Sequence, residues 1–531
     1  MSRDKFFITT PIYYTNGIPH IGHSYSSLIA DIIARYQKIT GKKVKFCTGV
    51  DENSQKAVLK AEEQGMEIMP YLDIMAEKHK AVWDGLKIEY TDFIRTTESR
   101  HHKLVREVLQ KSWDNGDIYE GVYEGMYCVG CEAFKKDDDL IDKNGKRVCP
   151  DHLTDPQKLK EKNYFFRLSK YQDFLLDYYK SNPEFVVPQD RFNEVIAFVE
   201  RGLDDFSISR ETNKFGIHLP FDEEQVAYVW YDALFNYVTV CEYPGVEKET
   251  PGIKWWPADL HVVGKDIIRF HAIYWPAMLK SAGYELPKQI LTTGFFTVNG
   301  QKISKTIGNV IDPVEFTQKY SKDLLTLYIL SSFNIGQDGD FDEKQAILTY
   351  NSKLANNLGN LVNRVVVLSL KLQDESGKLY GKVDGFLTED NLMLIDEDLG
   401  SFLKGKPSIL DYLEIFQKNI NAYDLKACLD ITFSFLDKIN KFTDIKEPWK
   451  LIKESEEDTR GVLYTIAEGL RIVGLALYPF FPEKMSEMFV KLGLENYKER
   501  LENGELEKML VEFPKFEIKE KGENLFSRIE I

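Results

Sequence analysis

The chain has 531 residues, more than one hydrophobic core usually serves, and its 43% hydrophobic and 29% charged residues exclude a disordered or fibrous polymer. Its 68 Lys and Arg against 84 Asp and Glu leave a net charge of −16, which argues against a protein coated in nucleic acid. A basic strip on an acidic body can still serve a polynucleotide, because only the local field acts on phosphates.

No stretch reaches the ~20 apolar residues of a membrane span. The start of the chain lacks the apolar region and cleavage site of a secretory signal, so a cytoplasmic protein with no membrane partner is expected. Six cysteines are too few for a disulfide framework, and Cys47, Cys241 and Cys428 stand alone as expected core filler.

Residues 5–10 read as a short buried strand. A loop with Pro11, Asn16, Gly17 and Pro19 follows, then a helical pattern over 24–40 in which Leu28, Ile32 and Tyr36 share a face and Gly41 marks the stop. Residues 44–48 form the next strand, ended by Gly49-Val50-Asp51. Strand, helix and strand within fifty residues make a βαβ unit, which implies a parallel sheet with a right-handed crossover. From about 119 to 210, a cysteine cluster, charge-rich turns and prolines break this rhythm and read as an insertion. Alternation resumes with a helix near 228–240, a strand at 260–263, a helix over 266–281 and a strand near 289–292. Residues 295–298 ahead of Asn299-Gly300 signal a hairpin, since Asn-Gly suits the positive φ angles of its turn. From about 341 to 492 the pattern is mainly helical, with long segments at 346–370 and 459–477, and two short β-like runs follow at 510–516 and 525–531.

Three motifs carry chemistry. His20-Ile21-Gly22-His23 lies between the first strand and its helix, where a doubly wound sheet binds ligands and helix N–H groups attract phosphate. Gly22 lets backbone approach a nucleotide, and two imidazoles can donate to phosphate oxygens as charge develops; the bland reading is a pair of loop histidines. Lys302-Ile303-Ser304-Lys305-Thr306 follows the Asn299-Gly300 turn and is bounded by Gly308. Two lysines around a serine in such a loop can close over a triphosphate, although alone they describe a solvated surface loop. Cys128-Val129-Gly130-Cys131 and Cys149-Pro150-Asp151-His152 are two pairs, each with two intervening residues, that fit a closed tetrahedral zinc site of structural type. The alternative is three reduced thiols and an unrelated histidine.

Together, the first two motifs resemble the signature of the class I aminoacyl-tRNA synthetases. The first matches without change; the second departs from the family's usual Lys-Met-Ser-Lys-Ser at Ile303 and Thr306 and keeps both lysines. Within the class, the segments from Thr9 to Gly17, Val229 to Ala233 and Gly264 to His271 resemble methionyl-tRNA synthetases, as do a single-knuckle insertion and a later Pro448-Trp449. The closing Leu525 to Glu530 is similar to that family's returning C-terminal peptide, with Ser527 where proline is usual.

The fold expected is therefore α/β: a doubly wound, Rossmann-like parallel sheet interrupted by a zinc-knuckle insertion and followed by an all-α anticodon-binding bundle. Its segments are expected at 1–118 and 213–290 for the catalytic halves and at 119–212 for the insertion. The Lys-x-Ser-Lys loop and stem-contact region would span 291–345, and the helical domain with its returning peptide 346–531.

The resemblance implies ATP-dependent activation of L-methionine and transfer to tRNA(Met), for initiation and elongation, with Mg2+ accompanying ATP. It implies His20, His23, Lys302 and Lys305 as catalytic groups, with Gly22, Gly264, Asp266 and Ser304 also at ATP. Asp51 would pair with the methionine ammonium. Ile12, Tyr14, Trp230, Leu234, Tyr237, Ile267, Phe270 and His271 would line the side-chain pocket, where Tyr237 and His271 are candidate donors to the weakly accepting thioether. Trp449 would stack on the first base of the CAU anticodon, with Asn351, Asn356 and Arg364 as candidate readers of base edges. Cys128, Cys131, Cys149 and His152 would hold one structural zinc. The absence of the family's C-terminal dimerising domain suggests a monomer.

Other class I enzymes compete with this reading. Those for isoleucine, valine and leucine carry a large editing domain, for which the insertion is too short. The cysteine enzyme grips its substrate with zinc near the first motif. A catalytically inactive tRNA-binding paralogue would have no use for both histidines and both lysines.

Overall fold

The computed structural model describes residues 5–128, 133–135, 140–143, 145–150, 153–211, 214–245, 253–303, 308–372, 378–379, 409–512 and 514–530. The chain divides into two compact units. One comprises residues 5–31 and 45–293, and the other takes 32–44 and 294–531.

The first unit is built on a six-stranded sheet of β1 (Lys5–Tyr14), β2 (Lys43–Asp51), β3 (Asp92–Arg95), β4 (Val186–Val187), β5 (Leu260–Gly264) and β6 (Ile290–Thr293). Its strand order is β3-β2-β1-β5-β6-β4. β2 runs parallel to β3, β1 to β5, β5 to β6, and β6 to β4. Phe7, Ile8, Thr9 and Thr10 are all fully buried, as expected of a strand covered on both faces. The expected βαβ unit is present, with strands longer than the apolar runs alone indicated and with a helix α1 (Ile21–Ile39) that begins three residues earlier than its periodicity.

The expected insertion is largely antiparallel sheet. Ile118–Cys128 pairs with Gln157–Phe166 from Ile118 opposite Phe166 to Tyr127 opposite Gln157, and Phe206–Ser207 and Ala133–Lys135 flank the pair. The helix expected over 266–281 is instead a π-helical turn, Phe270–Tyr274, leading into an α-helix, Trp275–Ala282. Pro276 has no N–H to give the carbonyl of Ala272, four residues earlier. The Tyr179 hydroxyl donates to that oxygen instead, at 2.6 Å.

In the second unit, Phe296–Val298 pairs antiparallel with Gln301–Lys302 and parallel with Gly339–Phe341. The hairpin turn is as expected, with φ of 51° at Asn299 and 72° at Gly300. Helices follow, among them a continuous run from Glu343 to Lys371 with a π-helical centre at Asn351–Gly359, then Leu425–Lys446 and Glu456–Leu477. Residues 32–44 group here. Arg35 donates to the Pro479 carbonyl at 2.6 Å, and the Tyr36 ring lies 6.5 Å from that of Phe416.

Of the two β-like runs in the tail, the first yields Phe516–Glu517, paired with Lys378–Leu379. The second is not a strand. Leu525 and Phe526 are buried by packing, and the side-chain amide of Asn351 takes the place of a strand partner: it donates to the Ile529 carbonyl and accepts from the Ile529 N–H.

Candidate active site

The first motif opens α1. The N–H groups of His23 and Ser24 donate to the His20 carbonyl at 2.9 and 3.2 Å, which starts the helix. The Gly22 N–H donates to His20 Nδ1 and the His20 N–H donates to His23 Nδ1, both at 3.1 Å. A neutral imidazole that accepts at Nδ1 carries its proton on Nε2. The local backbone thereby makes both rings, whose centroids are 4.0 Å apart, Nε2–H donors beside a helix N-terminus. Tyr13 meets the His23 ring edge-on at 5.5 Å, and burial pushes its phenol up to about 12.

Beyond the carboxyl ends of the strands lies an aromatic cluster. Trp230 and Phe270 stack with centroids 3.9 Å apart and planes 4° from parallel, and Tyr14 meets Trp230 edge-on at 6.4 Å. Ile12, Ile267 and Phe270 pack against the core that contains Leu234 and Tyr237. The Tyr237 hydroxyl and His271 Nε2 are 2.8 Å apart, and His271 Nδ1 is 3.0 Å from the Ile267 carbonyl. A carbonyl only accepts, so Nδ1 carries the ring proton and Nε2 accepts from Tyr237. Burial pushes His271 down to about 4 and raises the Tyr237 phenol, so both are neutral near pH 7. The two expected donors to a thioether therefore hydrogen-bond first to each other.

Asp51 is buried at the carboxyl end of β2. Next to it, Glu52 accepts from Arg95 Nε at 2.9 Å and from the Thr97 hydroxyl, and burial raises its carboxyl pKa. Asn53 donates to the Asp232 carboxylate at 2.9 Å and to the Thr96 carbonyl at 3.1 Å. This bond joins the strand end that carries Asp51 to the helix Val229–Leu234 that carries Trp230. Gly264 ends β5, where a Cβ would come within 2.5 Å of Asp266 Oδ1. That position suits close approach of a ligand at the sheet's carboxyl edge.

Sequence reading missed Asn53, Asp232, Thr9 and His261. The available signal was polarity inside buried runs: Thr9 and His261 interrupt apolar strands, and a buried polar side chain in a parallel sheet requires a partner.

The second motif belongs to the other unit. Lys302 lies in the strand Gln301–Lys302, opposite Thr297, while Ser304 and Lys305 lie outside the described residues. In the same unit, Trp449 sits in the short helix Pro448–Leu451 and is 37% exposed, too open for a core plug. The Arg364 guanidinium is 5.7 Å from its ring centre and 3.1 Å from Asp444. Asn356 is exposed. Asn351 is withdrawn as a reader of bases, because it is buried and both ends of its amide hold Ile529.

Of the cysteine cluster, Cys128 and Cys149 are described and buried, while Cys131 and His152 lie outside the described residues. Thr154 brings the two halves together: its Oγ1 is 3.8 Å from Cys128 Sγ, and its carbonyl accepts the Cys149 N–H at 3.0 Å. The Leu153 N–H closes back on the Cys149 carbonyl at 2.7 Å, with Leu153 at φ 55°. Two buried thiols, Cys128 at a strand end and Cys149 on the turn, fit half of a sulfur-rich zinc site. Among the described residues, no group of three or more potential metal ligands forms and no helix is long and apolar enough to cross a membrane.

The family profile described as tRNA synthetases class I (M) matches residues 6–366. A methionine–tRNA ligase of Thermotoga maritima is 42% identical over 502 residues, which cover 94% of this chain and 77% of the relative. One from Thermosynechococcus vestitus is 40% identical over 493 residues, covering 92% and 90%. Among solved structures, a Mycobacterium tuberculosis methionyl-tRNA synthetase in complex with methionyl-adenylate matches with a TM-score of 0.89 at 33% identity, covering 99% of this chain and 100% of that one. The apo form of the Mycobacterium tuberculosis enzyme matches at 0.83 and 32% identity, covering 99% and 98%.

Proposed function

The chain belongs to the class I methionyl-tRNA synthetases, and from that premise we propose how its residues divide the work. The enzyme activates L-methionine with ATP and charges tRNA(Met). The observation that carries this reading is near-full-length identity of about two residues in five to methionine–tRNA ligases.

In the first step the methionine carboxylate attacks the α-phosphate in line. The new P–O bond forms as the bond to pyrophosphate breaks, and negative charge spreads over the phosphate oxygens. His20 and His23 donate to those oxygens from Nε2, the nitrogen that the backbone bonds at Nδ1 leave as donor. Lys302 and Lys305 neutralise the triphosphate, assisted by Ser304. Gly22, Gly264 and Asp266 admit the nucleotide, and Mg2+ enters with ATP. Asp51 pairs with the methionine ammonium. Ile12, Tyr14, Trp230, Leu234, Tyr237, Ile267, Phe270 and His271 enclose the side chain, a soft thioether that suits aromatic walls. In the second step the 2′-OH of the terminal adenosine of the tRNA attacks the adenylate carbonyl and AMP departs.

Trp449 stacks on an anticodon base, while Arg364 and Asn356 read base edges; the openness of the Trp449 ring supports this. Cys128, Cys131, Cys149 and His152 hold a structural zinc, which orders the insertion and takes no part in the steps above. We further assign a monomer acting in the cytoplasm.

ATP–pyrophosphate exchange tests the reading. Methionine, and not isoleucine, valine, leucine or cysteine, should support exchange. Lys305→Ala should lower its rate by ~10²-fold or more with the methionine KM little changed, because that charge matters most as the pentavalent state forms. A rise confined to the methionine KM would remove Lys305 from this role.

A further inference from the structure

The chain on either side of Asp51 is tied to two neighbouring elements, and one side chain makes the crossing. Asn53, Thr96 and Asp232 are all buried. Asn53 Nδ2 donates to the Thr96 carbonyl at 3.1 Å and to the Asp232 carboxylate at 2.9 Å. A carbonyl can only accept, so the Thr96 bond fixes which end of the Asn53 amide carries the hydrogens and leaves the second one for Asp232. The Glu52 N–H donates to Thr96 Oγ1 at 2.8 Å, and the Thr96 N–H to the Val50 carbonyl at 3.4 Å. Residues before and after Asp51 are thereby held to the residue that follows β3, and the Asn53 amide carries the hold across to the helix Val229–Leu234.

Trp230 and Asp232 stand two residues apart on that helix, about 200° round its axis. Trp230 turns to Phe270, with ring planes 4° from parallel, while Asp232 turns to Asn53. One side of the helix walls the aromatic cluster, and the other is pinned to the strand end that carries Asp51. Apolar packing would bury this helix as well, but it has no direction. A hydrogen bond between buried groups adds a fixed distance.

We propose that the Asn53–Asp232 bond is a clasp that sets the length of the amino-acid slot, with Asn53 and Asp232 as positioning residues. It fixes the separation between Asp51, which takes the ammonium, and Trp230, which walls the side-chain end. The proposal rests on the reading of Asp51 and Trp230 as methionine-binding residues, and the clasp acts through those two. With it cut, the Trp230 helix can give way. Methionine then has to order the slot on binding, which raises its KM, and a side chain one methylene longer is turned away less strongly. The phosphoryl step keeps its own groups at His20 and His23.

ATP–pyrophosphate exchange on the full-length enzyme tests this, with methionine and with ethionine, which is longer by one methylene beyond the sulfur. Asn53→Ala and Asp232→Ala should each raise the methionine KM by ~5- to 10-fold, the weight of about one buried hydrogen bond, with kcat and the ATP KM close to wild type. Each should also lower the ratio of kcat/KM for methionine to that for ethionine, by ~3- to 10-fold. Asp232→Asn, whose amide oxygen can still accept from Asn53, should keep most of both properties. The double alanine variant should fall short of the product of the single effects, because both changes cut the same bond. The ratio is read on one enzyme sample and does not depend on the fraction that folds; a merely structural role lowers both activities together and leaves it unchanged. A wild-type ratio in the two alanine variants, a loss in Asp232→Asn equal to that in Asp232→Ala, or fully multiplicative losses in the double variant would each overturn the proposal. Trp230→Ala separates the two levels. If it leaves the methionine KM unchanged, the pocket assignment falls and the clasp with it; if it raises that KM while the alanine variants keep the wild-type ratio, only the clasp falls.

Discussion

Trp449 shows how little a residue type says about its task until exposure is known. A tryptophan in a helical bundle is usually a core residue, yet this one is 37% exposed, with the Arg364 guanidinium 5.7 Å from its ring centre. Stacking on a base contributes ~1–3 kcal/mol. Trp449→Ala should therefore leave melting and pyrophosphate exchange close to wild type and cut aminoacylation of tRNA by roughly 5- to 150-fold at subsaturating tRNA, the equivalent of that energy. Unchanged charging would take Trp449 out of the anticodon site. His271 makes the opposite point, since its character depends on burial, which holds it down at about 4. An imidazole in the unfolded chain titrates near ~6.5. Between those values the unfolded chain binds the proton first, so the contribution of His271 to stability is complete above ~6.5 and is lost as pH falls from there toward about 4. Histidine-resolved NMR should find His271 still neutral at a pH of about 5.5, where an ordinary imidazole is mostly protonated; a midpoint near the ordinary value would show that the Tyr237–His271 bond is not maintained in solution.

At the level of elements, short segments behave as their local chemistry dictates. The Asn299-Gly300 turn adopts the two positive φ angles that its residues favour, and it places Lys302 at the end of the returning strand. Pro276 interrupts an α-helical pattern because it lacks an N–H, and the Tyr179 hydroxyl supplies the missing donor. The cysteine-bearing turn depends on its neighbour Thr154, which draws Cys128 and Cys149 toward one point. Metal analysis of protein purified without chelators should find about one zinc per chain, as a closed four-ligand site requires. Cys128→Ser should lose that metal and expose the insertion to limited proteolysis, because the binding energy of a structural zinc is folding energy. A zinc content near zero with full activity would refute the site.

For the molecule as a whole, a net charge of −16 means that a polyanionic tRNA must be held by local groups against an unfavourable average field. Raising monovalent salt from roughly 50 to 200 mM should increase the KM for tRNA several-fold, through the counterions that phosphate contacts release, while pyrophosphate exchange changes much less. Equal sensitivity of the two reactions would argue that tRNA is held without such contacts. The amino-acid sequence alone determined the family, the βαβ start and the Asn-Gly hairpin, because each is a run of neighbours whose geometry follows from short-range sterics and hydrogen bonding. It was silent on partners that meet only through strand register or helix packing. Thr9 lies 252 residues from His261, Asn53 is 179 from Asp232, and Asn351 is 178 from Ile529. Asn351 was expected to read bases and instead holds the chain's end, and Leu525 to Glu530 carries the pattern of a strand but has a side-chain amide where a strand partner would be. Only the tertiary structure decides such pairings, because a buried polar group takes whichever partner the packed backbone brings within about 3 Å, and no spacing along the chain encodes that distance.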